Sequence, residues 1–238
     1  MKEVDVDDRL PWAISWTARE PLERTSHALA HEGRVWLIDP FADEVALRAA
    51  LGLGEIAAVV QLLDRHPRDC EELARRFAVP HLRLPDPGKE RSPSAAGGAQ
   101  AERRSAEHRT DRSRASTARS DHLLPDSPFE AHRLVWMPRW RELCLWWEEH
   151  RALVVAEAVG ASSYTAVGGR PLGVHPFLRV KPPDALRRFS PEILFPGHGP
   201  VLHSEATPAL QDALSRTRRD IPRVLPAVVK GFGGGRQR

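Results

Sequence analysis

Residues 56–70 read IAAVVQLLDRHPRDC, so that an apolar run passes directly into a polar loop. The run Ile56–Leu63 has the length of a buried strand, and the residues from Asp69 to Phe77 have the pattern of a short helix. Asp69 and Glu72 have the spacing of a capping box, which is typical of a helix start. The segment therefore predicts a strand, a loop and a helix, with polar side chains at the end of the strand.

Two later apolar runs also end at polar residues. Ala152–Ala156 is followed by Glu157, and Ile193–Phe195 runs into the loop PGHGP, which contains His198. Both runs have the composition of buried strands. If the three strand ends lie on one edge of a sheet, their polar side chains converge. This predicts one site made of the following four residues: Asp69, Cys70, Glu157 and His198.

The remaining patterns complete a mixed α/β fold with no internal repeat. The segments 26–31 and 34–39 flank a glycine-containing turn and predict a β-hairpin. Asp43 is placed to cap a short helix, and Thr207-Pro208 begins an amphipathic helix. Further strands are predicted at 133–136 and 143–147, where four tryptophans, at positions 136, 140, 146 and 147, favour core packing over a ligand pocket.

Length and composition favour a single domain over residues 1–238. The chain is 41% hydrophobic and 28% charged, which is ordinary for a globular protein of 238 residues. Residues 86–122 are rich in Ser, Ala, Gly, Pro and Arg and contain almost no large apolar side chain, which predicts a disordered insertion. The glycine-rich tail 231–238 is predicted to be flexible.

The excess positive charge lies in this insertion. Between Lys89 and Asp121 there are eight Lys or Arg against five Asp or Glu, an excess equal to the net charge of +3 for the whole chain. Mixed charge without aromatic stacking residues favours a solvated tether over a nucleic-acid surface. The alternative is a nucleic-acid-associated protein tethered through residues 86–122, and salt-sensitive binding that is lost on deleting the segment tests it.

The sequence also predicts a cytoplasmic location with no membrane segment. The first eight residues are acidic and lack the apolar core of a secretory signal. No apolar run is long enough to span a bilayer. Cys70 and Cys144 are far apart and form no disulfide framework, as is usual in a reducing compartment.

Taken in order, these motifs resemble those of the metallo-β-lactamase superfamily. The resemblance rests on the hairpin ending at Asp39, the strand-loop-helix at 59–77, the strand ending at Glu157 and the Gly-His-Gly loop around His198. It covers most of the chain outside the insertion and the first 25 or so residues. It implies an αββα sandwich, in which two mixed sheets pack face to face with helices outside.

In that family the loop carries the pattern H-x-H-x-D-H, a further histidine follows, a carboxylate bridges two metal ions, and a last histidine lies in the terminal glycine loop. Placing Asp69 on the motif aspartate puts Cys70 on the third histidine, Glu157 on the bridging carboxylate and His198 on the last histidine. The three positions that would hold the first metal ion are then occupied by residues that cannot ligate zinc, namely Arg65, Pro67 and Trp140.

The resemblance thus implies that the first metal ion is lost and that the second site could hold one zinc ion or none. Its implied ligands are Asp69, Cys70, Glu157 and His198, a donor set that suits zinc. His66 is out of register with the family histidines and is expected to point elsewhere, and His175 is a reserve candidate.

Simpler roles compete with metal binding at these positions. Asp69 could be a helix cap and Cys70 a small buried filler. Glu157 could form an ion pair with Arg65, and this ion pair is favoured over a functional metal site. The leading hypothesis is therefore a protein that has lost two-metal hydrolysis and has a binding or vestigial role, with a small molecule as a candidate ligand. The alternative is a single-zinc hydrolase of an ester, thioester or phosphodiester.

Overall fold

The structure is a computed structural model that describes residues 3–83, 122–124 and 126–222. The predicted disordered insertion lies outside the described residues except for its last position, and so does the predicted flexible tail at 231–238. The two described halves of the chain each supply one large β-sheet.

The first half forms a six-stranded sheet whose strands follow the order of the chain. The strands are β1 (Val4–Leu10), β2 (Ala13–Ala18), β3 (Thr25–His31), β4 (Arg34–Ile38), β5 (Glu55–Gln61) and β6 (His81–Arg83). Strands β1 to β4 are antiparallel, whereas β4, β5 and β6 run parallel because helices connect them. The helices are α1 (Glu44–Leu53) and α2 (Cys70–Phe77).

The second half forms a five-stranded sheet and a small two-stranded one. Its strands are β7 (His122–Leu123), β8 (Glu130–Met137), β9 (Trp140–Trp147), β10 (Ala152–Val155), β11 (Val159–Gly160), β12 (Gly173–Val174) and β13 (Ile193–Pro196). The large sheet has the order β13-β10-β9-β8-β7, and β11 pairs with β12. Two 3₁₀ helices, Pro176–Leu178 and Asp184–Arg188, precede β13, and α3 (Ala206–Arg216) follows it.

The helices and sheets form four layers that pack around two apolar cores. Leu47 of α1 and Leu73 of α2 pack in one core with residues of the first sheet such as Trp16. The other core joins the two sheets, with Trp36 of β4 and Trp147 of β9 both almost fully buried, and it extends to α3. The αββα sandwich predicted from the sequence is confirmed.

Several local predictions are confirmed and two are wrong in detail. The hairpin of β3 and β4 is present, and the Asp43 side chain accepts hydrogen bonds from the backbone N–H groups of Val45 and Ala46 at the start of α1. The capping box is absent, because the Asp69 side chain makes no cap hydrogen bond to α2. Trp136 is only partly buried, unlike the other three tryptophans of its cluster.

The strand directions determine where the candidate site lies. Strands β4 and β5 are parallel neighbours in the first sheet, and β10 and β13 are parallel neighbours in the second. Parallel strands end at the same edge, so the residues after each pair are brought together. An isolated bridge between Leu63 and Glu142 connects the loop after β5 to the second sheet.

Within the described ranges, no helix has the length and apolar character needed to cross a membrane.

Candidate metal centre

The loops after β5, β10 and β13 bring two histidines and one carboxylate together. Each of His66, Glu157 and His198 offers one ligand atom, and these three atoms lie within 4.8 Å of one another. Two of the four predicted ligands, Glu157 and His198, therefore meet in the structure. The third member is His66, so the expectation that this residue points elsewhere was wrong.

The His198 ring is held in one tautomer by the backbone. Its Nδ1 lies 2.8 Å from the carbonyl oxygen of Leu22, which can only accept a hydrogen bond, so Nδ1 carries the proton. Nε2 is buried and has no hydrogen-bond partner among the residues that the structure describes. Burial also lowers the pKa of His198 to about 3, which keeps the ring neutral. An unpartnered, neutral Nε2 is the donor that a metal ion requires.

The glycines on either side of His198 are required by its surroundings. A Cβ atom at position 197 would lie 2.1 Å from the carbonyl oxygen of Ala156, a distance that no side chain tolerates. Gly199 has φ +86°, a left-handed conformation that favours glycine. The loop can therefore pass close to the end of β10 and bring His198 near Glu157.

Asp39, directly after β4, orients His66. The His66 Nδ1 lies 3.3 Å from the Asp39 carboxylate, whose other oxygen accepts a hydrogen bond of 2.9 Å from the Leu62 backbone N–H. Burial raises the pKa of Asp39 to about 6, and burial with the charge of Arg68 lowers the pKa of His66 well below its usual 6.5. A carboxylate behind a neutral imidazole is the arrangement that fixes metal-ligating histidines.

Glu157 has different partners on its two carboxylate oxygens. Oε2 accepts a hydrogen bond of 2.5 Å from Arg65, whereas Oε1 lies 3.7 Å from Nε2 of His175. Burial raises the pKa of Glu157 and the nearby Arg65 charge opposes this rise. The ion pair with Arg65 that the sequence predicted is present, and it occupies one oxygen only.

Arg65 and Trp140 occupy two of the positions where the family resemblance expects histidines, and their side chains contact each other. The guanidinium carbon of Arg65 lies 4.1 Å from the centre of the Trp140 ring, which is cation–π geometry. The Trp140 ring also meets the His175 ring edge-on at 4.6 Å. Pro67, the third such position, is exposed. Arg65 and Trp140 therefore fill part of the site with a fixed cation and an aromatic ring.

Glu142 supports this arrangement from beneath. Its side chain is fully buried and accepts hydrogen bonds from the backbone N–H groups of Glu157 and Ala158, at 2.8 and 2.9 Å. Its other oxygen accepts one of 2.9 Å from the Trp140 indole. Burial raises the pKa of Glu142 to about 7. One buried carboxyl group thus positions both the candidate ligand Glu157 and the ring beneath Arg65.

Arg68 joins the strand ends on the other side of the site. Its guanidinium donates to the backbone oxygens of Thr25 and Asp39, each at 2.6 Å, and to that of Gly197 at 3.0 Å. Burial lowers the pKa of Arg68, and the Asp39 charge counters this effect. The side chain connects the ends of both sheets and adds a buried positive charge near His66.

Asp69 and Cys70 lie outside the cluster. Asp69 accepts a hydrogen bond of 2.7 Å from the backbone N–H of Ala42, which joins the loop after β4 to the start of α2. Cys70 is fully buried in the core between the first sheet and its helices. Burial strongly raises the pKa of its thiol, which disfavours the thiolate that binds metals.

The residues present fit one zinc ion. Two neutral imidazoles and a carboxylate are suitable ligands, and the buried Nε2 of His198 lacks another partner among the described residues. Arg65 binds one oxygen of Glu157 and adds a positive charge beside these ligands.

Sequence patterns alone did not indicate Asp39 or Glu142 as part of the site. Asp39 lay in the hairpin motif, but nothing local showed that it faces His66. Glu142 lies inside an aromatic strand, where a charged residue on a buried face is the one available signal. Two of its three donors, the backbone N–H groups of Glu157 and Ala158, follow the neighbouring strand β10 and become visible only in the fold.

Comparison with solved structures supports the fold. The chain superposes on DIM-1 metallo-β-lactamase with a TM-score of 0.58 and 12% sequence identity, over 91% of this chain and 97% of that one. A metallo-β-lactamase from Pontibacter korlensis gives a TM-score of 0.54 and 10% identity, over 91% and 99%. A fragment of the putative diflavin flavoprotein A 5 from Nostoc sp. PCC 7120 gives 0.56 and 14%, over 92% and 98%.

These similarities define the class of fold. No family model and no curated protein sequence matches the chain. The identities are low while the coverage of both partners is nearly complete, so the resemblance lies in the architecture. The chain has the metallo-β-lactamase fold, with a divergent sequence.

Proposed function

We propose that this protein is a single-zinc hydrolase-like enzyme in which His66, Glu157 and His198 hold the metal. The observation that carries the proposal is the convergence of three ligand atoms within 4.8 Å, one of them a buried imidazole nitrogen with no partner in the described parts of the chain. Two histidines and one glutamate form a ligand set of known catalytic zinc sites, in which a fourth position stays open.

The chain prepares each ligand for this role. Leu22 holds the His198 ring through Nδ1, and Asp39 holds the His66 ring in the same way. Glu157 keeps Oε1 available because Arg65 binds Oε2. When bound, zinc would supply Lewis acidity toward a carbonyl or phosphoryl oxygen. Esters, thioesters and phosphodiesters are the substrate classes that this chemistry serves.

His175 adds a donor beside Glu157. Its Nδ1 accepts a hydrogen bond of 3.3 Å from the Phe177 backbone N–H, so its proton is on Nε2, the nitrogen that faces Glu157. Burial, aided by the charge of Arg65, lowers the pKa of His175 to about 3. At 3.7 Å from Oε1 the His175 Nε2–H is beyond hydrogen-bond distance, so the neutral ring lies beside the carboxylate and leaves Oε1 available.

The test is the metal content of protein purified without an affinity tag or chelator. We expect about one zinc ion per chain, which is the number that one set of three ligands supports. His66→Ala and His198→Ala should each lose it, since each removes one of three ligands. Cys70→Ala should keep it, because this thiol lies in the core. His81→Ala on β6 is the matched control, since it removes a histidine outside the cluster.

Elemental analysis by mass spectrometry, with iron and manganese measured in parallel, gives the result directly. A parent protein without metal, or one whose metal survives both histidine substitutions, would contradict the proposal. A zinc-loaded parent justifies a screen of ester, thioester and phosphodiester substrates, with His198→Ala as the inactive comparison. We also propose a cytoplasmic location, because Cys70 and Cys144 form no disulfide framework, as is usual in a reducing compartment.

The second candidate is a metal-free binding protein that has lost hydrolysis, and the Arg65–Glu157 ion pair favours it. In a metal-free protein, the positive charge of Arg65 balances the negative charge of Glu157, which a metal ion would otherwise balance. Arg65→Ala should then lower the stability of the chelator-treated protein by about 1 kcal/mol, a small value because the pair is partly solvated. Unchanged stability by urea titration would remove the support for this candidate.

A further inference from the structure

We infer that Arg65 forms an anion-binding subsite beside the metal ligands, so that the ligand processed there carries a carboxylate or a phosphate group. The inference rests on the proposed function insofar as it assigns this group to a substrate. The anion site itself consists of side chains of this chain and can be tested without metal.

The guanidinium of Arg65 has donors to spare. One of its nitrogens, Nη2, bonds Glu157, and in the described ranges Nε and Nη1 have no hydrogen-bond partner. The side chain is 38% exposed, so an incoming ligand can reach it. A guanidinium presents its N–H groups in one plane as a fork, which matches the two oxygens of a carboxylate or a phosphate.

The same contacts fix the group in place before a ligand arrives. The Trp140 ring covers one face of the guanidinium at 4.1 Å, and Glu157 holds one edge at 2.5 Å. The indole is itself fixed by its hydrogen bond to Glu142. An anion is therefore bound without first ordering a flexible side chain, which reduces the entropic cost of binding.

The experiment is calorimetric titration of chelator-treated protein with inorganic phosphate and, separately, with acetate. Arg65→Met should weaken binding about tenfold, the size expected for loss of one charge-assisted contact. Glu157→Gln should act in the opposite direction and tighten binding, because it removes a competing carboxylate while leaving Arg65 in place. Arg75→Met, at an exposed arginine of α2, is the matched control and should bind like the parent.

The two probes distinguish the source of the anionic group. Tighter binding of phosphate identifies a phosphoryl group, and tighter binding of acetate identifies a carboxylate. The inference is overturned if neither anion binds, or if Arg65→Met and Glu157→Gln both bind as the parent does. If Arg65→Met does not fold, the opposite response of Glu157→Gln still decides the question.

Zinc content measured on the same samples separates this inference from the proposed function. One zinc ion with no Arg65-dependent anion binding would refute the subsite and leave the metal proposal intact. Arg65-dependent anion binding in a protein that takes up no zinc would refute the metal proposal and leave the subsite intact.

Discussion

Glu142→Ala is expected to destabilise the protein severely, although Glu142 is not a candidate ligand. The Glu142 side chain is fully buried. The carboxyl group accepts three hydrogen bonds of 2.8, 2.9 and 2.9 Å, from two backbone N–H groups and the Trp140 indole. Each buried donor left without an acceptor costs about 1–3 kcal/mol. The variant no longer has the cost of desolvating a buried carboxyl group, which offsets part of this sum. The expected loss of stability is therefore roughly 3–5 kcal/mol.

Glu142→Gln should cost less, about 1–2 kcal/mol, because the amide oxygen can still accept from Glu157 and Ala158 while its NH₂ group faces the Trp140 N–H. Glu148 supplies the matched control. It accepts a hydrogen bond of 2.6 Å from Trp146, with the same two-residue spacing, but it is exposed. Glu148→Ala should therefore cost below about 1 kcal/mol.

The assay is urea unfolding followed by circular dichroism, with the midpoint and slope fitted for the parent and the three variants. A loss of about 4 kcal/mol, roughly the middle of the expected range, should lower the urea midpoint by more than about 1 M, since the slope is about 1–3 kcal/mol/M. The reasoning is refuted if Glu142→Ala costs no more than Glu148→Ala with an unchanged slope, because the three hydrogen bonds would then contribute nothing.

Three further predictions concern other polar or titratable side chains of the described chain. Arg68→Lys should destabilise the protein by about 2–4 kcal/mol in urea titration, since an ammonium group cannot match the planar contacts to three carbonyls. Partial burial raises the pKa of Asp7, but hydrogen bonds from Arg9 and His203 lower it overall. Its stabilisation is therefore present above its ordinary pKa of 3.8 and lost as the pH falls below it, and Asp7→Asn should lose that part of the acid dependence. The Cys70 thiol should react with a thiol reagent only after unfolding, because burial raises its pKa and hides it; rapid reaction of the native protein would contradict this.

The sequence by itself determined the order of the secondary structure and most of the architecture. Alternating and continuous apolar runs depend on local spacing, so the hairpin of β3 and β4, the strand β5 and the helix after Asp43 were predicted close to where they occur. The strands β1 and β2 were not predicted. Strand β1 is a charged edge strand and buries little apolar surface, so its pattern is weak.

The candidate site was predicted in part. Glu157 and His198 follow the parallel strands β10 and β13 of the second sheet and meet in the cluster. The sequence analysis considered all three strand ends on one edge of one sheet, whereas β5 belongs to the first sheet. In the loop between β5 and α2, the positions assigned to ligands from the sequence differ from those that face the cluster in the structure. Counting residues from Asp69 placed Arg65, Pro67 and Cys70 at ligand positions, whereas the fold turns His66 toward the cluster.

Only the tertiary structure decided which side chains of that loop face the site. A loop has no periodic pattern that fixes side-chain direction, so its orientation depends on partners that are distant in sequence. Asp39 lies 27 positions from His66 and orients its ring, while Leu22 lies 176 positions from His198 and fixes its tautomer. Glu142 lies on β9, and Glu157 follows β10, the neighbouring antiparallel strand of the same sheet. Their contact depends on how these two strands pair, which local sequence does not reveal.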